Sequence, residues 1–416
     1  MAFDSDFSKR TPKHDYAEVL LCLICGYLAG RVTIRRSLIW CKNNLETLRQ
    51  YTPLKNGIAS PSTVSRLLCR LDKVLFLAAF LEWIGQIVST QGAHLAIDGK
   101  ALRGSASKVL NKRAPMTLNV VHTDTGLVIA HIPIMQKTNE ITAISEVLEI
   151  IDIMGSIITI DAIGTQTNIM SLIVKYGGHF ALTVKKNQLQ TYDEIMMHMD
   201  HFAEEDLKCK KSQFYQPSYP ECMKSYSESS WSEKNRDRYE YRSCRVCSEP
   251  SFLTRYNNDW PFLKTVAQVM QVRILLVRDE NGNDVTPDVR TFLQNGSRRQ
   301  PMPETGDREQ CDIQKIGMIS DLELTAEELM TLKRDHWKIE NSLHHVLDDT
   351  FREDRSPAKQ SGHNLALIRK IAYNILRLAM ITGATGYKVM TEVMDAFCDD
   401  WTLMERFVFK GIKSLY

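Results

Sequence analysis

Apolar residues recur along this chain at two spacings, and the alternation between them marks out four stretches. Up to residue 90 the spacing is helical. Tyr16 to Ala29 and Ser37 to Tyr51 each carry apolar residues three and four apart, and Pro53-Leu-Lys-Asn-Gly57 interrupts them as a loop. From His94 the period shortens to that of strands. His94–Asp98 is followed by Met116–His122 and Leu127–Ile134, joined by the turn signal Thr123-Asp-Thr-Gly126 as a hairpin. A helix over Glu140–Ile153, a buried strand Ser156–Ile160 ending on Asp161, a helix over Gln166–Tyr176 and a strand His179–Val184 complete the run.

Residues 209–322 are polar and aromatic. They hold short strand-like runs at Tyr239–Val246 and Val266–Val277 and a Pro- and Gly-rich loop over Asn295–Gly306, which reads as a β-rich insertion. Helical spacing returns at Thr325-Ala-Glu-Glu328, a capping-box sequence. Beyond it Leu329, Leu332, His336, Ile339, Leu343 and Val346 form one stripe, and a last core helix spans Asn364–Met380. The expected fold is α/β. Residues 1–90 form an all-helical N-terminal domain, 91–208 the first part of a core, 209–322 the insertion and 323–416 the helical remainder of the core. Strand, hairpin, helix, strand, helix, strand is the order of a ribonuclease H-like core.

Composition narrows the class without naming it. With 44% apolar and 25% charged residues in 416, the chain is globular. Its longest apolar run, Val19 to Cys25, falls well short of the roughly 20 residues a membrane span needs. No basic start followed by an apolar stretch opens the chain, so no membrane partner and a cytoplasmic location are expected. The net charge is only +2, but residues 1–90 hold 12 Lys and Arg against 7 Asp and Glu, so the basic excess sits at the amino end. There Ser60-Pro-Ser-Thr-Val-Ser-Arg-Leu-Leu-Cys-Arg-Leu71 reads either as the second helix of a helix-turn-helix, presenting Arg66 and Arg70 to DNA, or as an ordinary amphipathic helix with those arginines in solvent. The ten cysteines are expected to be reduced thiols; Cys209, Cys222, Cys244 and Cys247 come nearest to a zinc ligand set, with irregular spacing.

Three acidic residues carry the candidate chemistry. Asp98 and Asp161 each close a run of apolar strand residues, which would bring their carboxylates out at the carboxyl ends of the strands. Taken singly, either could be a turn or helix-cap aspartate. Glu340 follows Ile339 on the border of the helical stripe, with His336 and His344 one turn away on either side, where an unpaired carboxylate is costly to bury and a metal ion would offset the cost. Three carboxylates suit Mg²⁺, which prefers octahedral oxygen coordination. Glu353 and Asp354 are rival third ligands. They are expected to be mobile past a helix end, among Arg352 and Arg355.

At these residues the chain resembles a known family. Ala96-Ile-Asp-Gly-Lys-Ala-Leu-Arg-Gly-Ser105, Thr159-Ile-Asp-Ala-Ile-Gly-Thr-Gln166, Ala181-Leu-Thr-Val-Lys-Lys-Asn-Gln188 and His336-Trp-Lys-Ile-Glu-Asn-Ser-Leu-His344 are similar to the blocks of bacterial insertion-sequence DDE transposases, in the group of H-repeat-associated proteins of Rhs elements. The likeness continues through Val346–Arg355, Asn364–Ala372 and Leu54–Thr63, so it covers nearly the whole chain in order. Departures occur at Arg113-Ala-Pro115, at Lys185-Lys186 in place of a glycine beside the asparagine, and in the polar stretch Tyr215–Arg245.

The resemblance implies a ribonuclease H-like core with a β-rich insertion and a DDE triad of Asp98, Asp161 and Glu340 holding two Mg²⁺ or Mn²⁺ ions. One ion, between Asp98 and Asp161, would activate a water or a DNA 3′-hydroxyl. The other, between Asp98 and Glu340, would stabilise the leaving oxygen. The implied partner is double-stranded DNA, as terminal inverted repeats and target, bound by a homodimer or larger assembly. Lys100, Arg103, Lys185 and Lys186 are candidate phosphate contacts. Gln166, Gln188, Asn341 and His336 are candidates to orient the ligands or touch the DNA backbone. A domesticated repeat-binding protein without catalysis and a general nuclease without strand transfer are the competing functions.

Overall fold

The computed structural model describes residues 13–105, 114–134, 140–235, 238–260, 262–276, 280–284, 311–358 and 361–411. The Pro- and Gly-rich loop expected over Asn295–Gly306 and the departure at Arg113 lie outside them. The described chain divides into two compact units. One holds residues up to Ile157, Lys175–Gly178 and those from Asp335 onward; the other holds Ile158–Val174 and His179–Arg334.

In the first unit, helices α1 (Tyr16–Leu28), α2 (Ile34–Asn43), α3 (Leu45–Leu48), α4 (Pro61–Arg70) and α5 (Lys73–Gly85) precede a three-stranded antiparallel sheet. Its strands are β1 (His94–Ala101), β2 (Met116–His122) and β3 (Leu127–Ile134), in the order β3-β2-β1. The hairpin expected from the Thr123–Gly126 turn is present, and Gly126 takes the positive φ of 72° that the turn requires. Helix α6 (Glu140–Ile150) packs on β2 and β3.

The second unit carries β4 (Ile157–Ile160), α7 (Thr167–Lys175), β5 (His179–Val184), α8 (Leu189–Lys211), α9 (Pro220–Ser225), β6 (Ser227–Asn235), β7 (Arg238–Cys247), α10 (Thr254–Asn258), β8 (Thr265–Leu275) and β9 (Cys311–Ser320). Its strands lie in the order β4-β5-β9-β8-β7-β6. Strand β9 pairs antiparallel with β5, from Ala181↔Ser320 to Val184↔Gly317, and with β8 along its length. The insertion therefore continues the sheet rather than forming a separate β layer. Helix α8 covers β7, β8 and β9 and runs across the boundary expected at residue 209.

The carboxyl-terminal helices begin in the second unit and return to the first from Asp335 onward. Thr325 and Glu328 form the expected capping box at the start of α11 (Ala326–His336), with the Thr325 N–H and hydroxyl both donating to Glu328 at 2.8 Å. A π-helical turn, Ile339–His344, leads into α12 (His345–Asp349). Next come α13 (Gly362–Ile381), α14 (Met390–Asp399) and α15 (Trp401–Met404). Helix α13 is buried on almost every side, and its Asn374 side chain hydrogen-bonds both the N–H and the C=O of Val128 on edge strand β3, at 2.9 and 2.8 Å. Helix α1 packs on α13, Trp40 stacks on Trp401 with ring centroids 5.7 Å apart, and Asn364 donates to the carbonyls of Leu68 and Leu71. Residue 90 is thus a change of secondary structure, while the packing runs on through it.

Candidate active site

Asp98 lies inside a strand. Leu95, Ala96 and Ile97 are fully buried, as their run of apolar side chains dictates, but β1 continues to Ala101. The expected strand end at Asp98 is corrected by Lys100, whose charge is neutralised within the protein and so does not stop the strand. Across the sheet Asp98 stands opposite Asn119, and Asn119 opposite His131. Directly paired residues project from the same face. The π-helical turn packs on β1 and brings His344 to this row. Its Nδ1 is 3.5 Å from the Asp98 carboxylate and its Nε2 is 3.4 Å from Asn119 Nδ2. Asn119 Oδ1 is 3.0 Å from His131 Nδ1. Burial, reinforced by the charges of Lys100 and Lys370, pushes His344 down to about 3. Burial does the same to His131, so both rings are neutral near pH 7.

Lys100 shares that face two residues on. It is 5% exposed, bonds Asp348, and lies 3.5 Å from Glu353 and 3.7 Å from Asp354. Its charge is therefore engaged internally, and Arg103, 81% exposed, is the outward cation of this segment. The sequence expectation of a mobile Glu353 among Arg352 and Arg355 is corrected by its burial. Glu353 faces Lys370, itself fully buried, at 3.6 Å. Burial alone would raise the Glu353 carboxyl, but Lys370, Arg369 and Lys100 outweigh it and hold it below the usual range. Lys370 is pulled down to about 8 by burial, against the pull of Glu353. Gly104 permits the return loop to close here, since a Cβ there would stand 2.4 Å from the Asp354 carbonyl oxygen.

Asp161, in the second unit, follows the last residue of β4 as the apolar run predicts. Its carboxylate is 2.7 Å from Lys185 Nζ, and both side chains are 44% exposed. Burial raises the Asp161 carboxyl, and the hydrogen bond and charge of Lys185, with the Ala162 N–H and Lys333, more than offset it, so it is held below the ordinary value. The loop after Asp161 is clamped from the Lys185–Gln188 segment. Asn187 donates to the Ala162 carbonyl at 2.9 Å, Gln188 donates to the Thr165 carbonyl, and Gln188 accepts from Arg255 at 3.2 Å. Gln166 turns to the Ile163 carbonyl at 3.4 Å, and Lys186 is exposed.

Glu340 and Asn341 are exposed at the start of the π-helical turn, and His336 is buried at the end of α11. The extra residue in a π turn advances the helical phase. Leu329, Leu332, His336, Ile339 and Leu343 are buried as the stripe predicts, but Leu347 then takes the place expected of Val346. Among the described residues no three His, Cys, Asp or Glu side chains gather into a metal-sized ligand set. Arg66 and Arg70 are exposed on α4, whose Val64, Leu67 and Leu68 pack inward. Cys222, Cys244 and Cys247 are buried free thiols, and burial pushes Cys222 up to about 12. No described helix is long and apolar enough to cross a membrane.

Sequence reading gave Asn119, His131 and Lys185 none of these partners. The signal was there for two of them: Asn119 and His131 are polar residues in the middle of apolar strands, and the hairpin turn fixes the register that sets them side by side.

This mixed α/β chain is similar to DNA transposases over most of its length. The family described as Transposase DDE domain matches residues 90–375, and DDE_Tnp_1-associated matches residues 6–84. The chain belongs to the DDE transposase domain family. It is similar to the "H repeat-associated putative transposase YhhI" of Escherichia coli (strain K12), 30% identical over 88% of this chain and 85% of that one. It is also similar to "Putative protein YbfL" of the same strain, 30% identical over 88% and 85%. An uncharacterised protein in the dhlA 3′ region of Xanthobacter autotrophicus is 32% identical over 65% of this chain and 86% of its own. A piggyBac transposase synaptic complex with hairpin DNA aligns over 95% of this chain and 73% of that one, with 11% identity and a TM-score of 0.36, too low to bear on the fold.

Proposed function

We propose that this protein cuts and rejoins DNA strands at the ends of an insertion-sequence element, using Asp98, Asp161 and Glu340 on a ribonuclease H-like core to hold two divalent metal ions. The observation that carries the reading is Asp98. A carboxylate 21% exposed, in the middle of an apolar strand and backed by buried polar side chains, is a costly arrangement that a turn or cap aspartate does not need. The donor set also fits the ions, because carboxylate oxygens are the hard ligands that Mg²⁺ and Mn²⁺ take. When bound, such ions activate the attacking oxygen and stabilise the leaving one.

The chain's own residues supply the rest. Lys185 neutralises Asp161 across a half-exposed contact, and it is the cation to exchange that partner for a DNA phosphate when a metal takes the carboxylate. Arg103, a few residues after Asp98, and Lys186, next to Lys185, are exposed and add phosphate contacts. Arg66 and Arg70 on α4 give the amino-terminal helices a basic outward face for the element's ends. Gln188 acts by fixing the loop after Asp161. Cleavage of terminal-repeat DNA with Mg²⁺ or Mn²⁺, wild type against Asp98→Ala, tests the proposal; loss in the variant is expected and equal cleavage overturns it. Sequencing of joined products separates a transposase from a nuclease. Metal-independent, salt-sensitive binding with no strand breakage would instead mark a domesticated repeat-binding protein.

A further inference from the structure

The row Asp98, Asn119, His131 with His344 above it has only one consistent pattern of hydrogen bonds if every contact is to be made. A carboxylate can only accept, so His344 Nδ1, 3.5 Å away, must carry the proton. His344 Nε2 is then an acceptor, and the atom facing it at 3.4 Å is the Asn119 amide nitrogen, a donor. That orientation turns Asn119 Oδ1 to His131 Nδ1 at 3.0 Å, which must therefore also be protonated. His131 Nε2 is left as the bare nitrogen; it is buried and makes no hydrogen bond among the described residues, while the backbone of His363 also acts on this ring. Asn119 and His131 are 0% and 2% exposed, so water does not compete for these groups.

We propose that His131, Asn119 and His344 form a directional relay that fixes the orientation of the Asp98 carboxylate, with His344 the positioning residue in contact with it. The inference rests on the reading of Asp98 as a metal ligand for its purpose, though not for its existence. An Nδ1–H donated to the carboxylate orients it, and the acceptor Nε2 that the contact with Asn119 requires leaves the ring without a charge that would compete with an ion. A hydrogen-bonded partner behind a ligand typically changes metal affinity by about 10- to 100-fold when removed. The sheet makes the relay rigid, because three of its four members are locked in register across paired strands.

Two measurements test this. In ¹⁵N-histidine NMR of the wild-type protein without metal, His344 and His131 are both expected as Nδ1–H tautomers; an Nε2–H tautomer at His344 overturns the relay. This needs no variant and no activity. In Mn²⁺ titrations followed by electron paramagnetic resonance, His344→Gln, whose amide reaches the Nε2 position, should weaken binding about 10-fold or more. His344→Asn, whose amide reaches the Nδ1 position and can still donate to Asp98, should stay within about threefold of wild type. Wild-type Mn²⁺ affinity in a folded His344→Gln overturns the positioning role. If wild-type protein and Asp98→Ala bind Mn²⁺ alike while both tautomers are as expected, the relay stands and it is the ligand role of Asp98 that fails.

Discussion

Asp98 and Asp161 are held in opposite ways. Asp98 sits mid-strand against neutral, buried side chains, with the deeper Lys100, Glu353 and Lys370 cluster on the same face of the first unit. Asp161 sits at a strand end and is neutralised by one half-exposed lysine. The first arrangement rests on side chains that are mostly buried, so disturbing them costs folding. The second compensates charge through a contact that water already reaches, so it is cheap to exchange. One carboxylate is prepared in place, and the other is guarded by a replaceable cation.

The widest test of this contrast is catalytic. Asp98→Ala, Asp161→Asn and Glu340→Gln should each lower metal-dependent strand cleavage by on the order of 10³-fold while the thermal transition stays near wild type. Retained activity in Glu340→Gln, with loss in a neighbouring acidic variant, would reassign the third ligand. In stability, Glu353→Ala should be the severest change, about 3–5 kcal/mol in urea unfolding, because it strands Lys370 in the interior. A value below about 1 kcal/mol would show the cluster to be solvated.

Acid should expose the same asymmetry. His94, His344 and His363 are pushed down to about 4, 3 and 4 by burial, and His131 well down, all in the first unit. Their folded affinity for protons is lower than the unfolded value of 6.5, so the unfolded chain binds more protons between those limits. Stability is complete above pH 6.5 and falls as pH drops toward about 4, by several kcal/mol in all. Urea midpoints that do not change between pH 7 and 4.5 would contradict it.

Smaller effects follow. Gly104→Ala should cost about 1–3 kcal/mol, since the new Cβ meets backbone rather than a flexible side chain. Lys185→Ala should change stability by less than about 1 kcal/mol, its pair with Asp161 being half exposed. Its larger effect should be a higher DNA concentration at half-maximal cleavage. If Lys185→Ala unfolds the protein instead, the contrast between the two aspartates is wrong.

Much of the fold was legible because local patterns agreed with it. The hairpin β2–β3 and strand β5 fall where alternation and the Thr123–Gly126 turn put them, and the Thr325 capping box forms as written. Helix α8 was not legible. Its buried positions include Thr191 and Glu205 among Ile195, Met199 and Phe202, while Met197 and Leu207 face solvent, which blurs the apolar stripe. Strand β6, Ser227–Asn235, is almost wholly polar because it is an edge strand and one side of it has no neighbour to bury against.

The sequence by itself determined the family and the order of most strands and helices, since each is written in local spacing and in motifs that survive without knowledge of contacts. It could not assign Lys100 or Glu353. A lysine and a glutamate in a polar segment read as solvated groups, and only the meeting of β1, the 353–355 turn and α13 buries them together. The same holds for the row behind Asp98: Asn119 and His131 acquire meaning from strand register, and His344 from a π-helical turn that no helical period reveals, because hydrogen-bond geometry is decided by which elements come together in space.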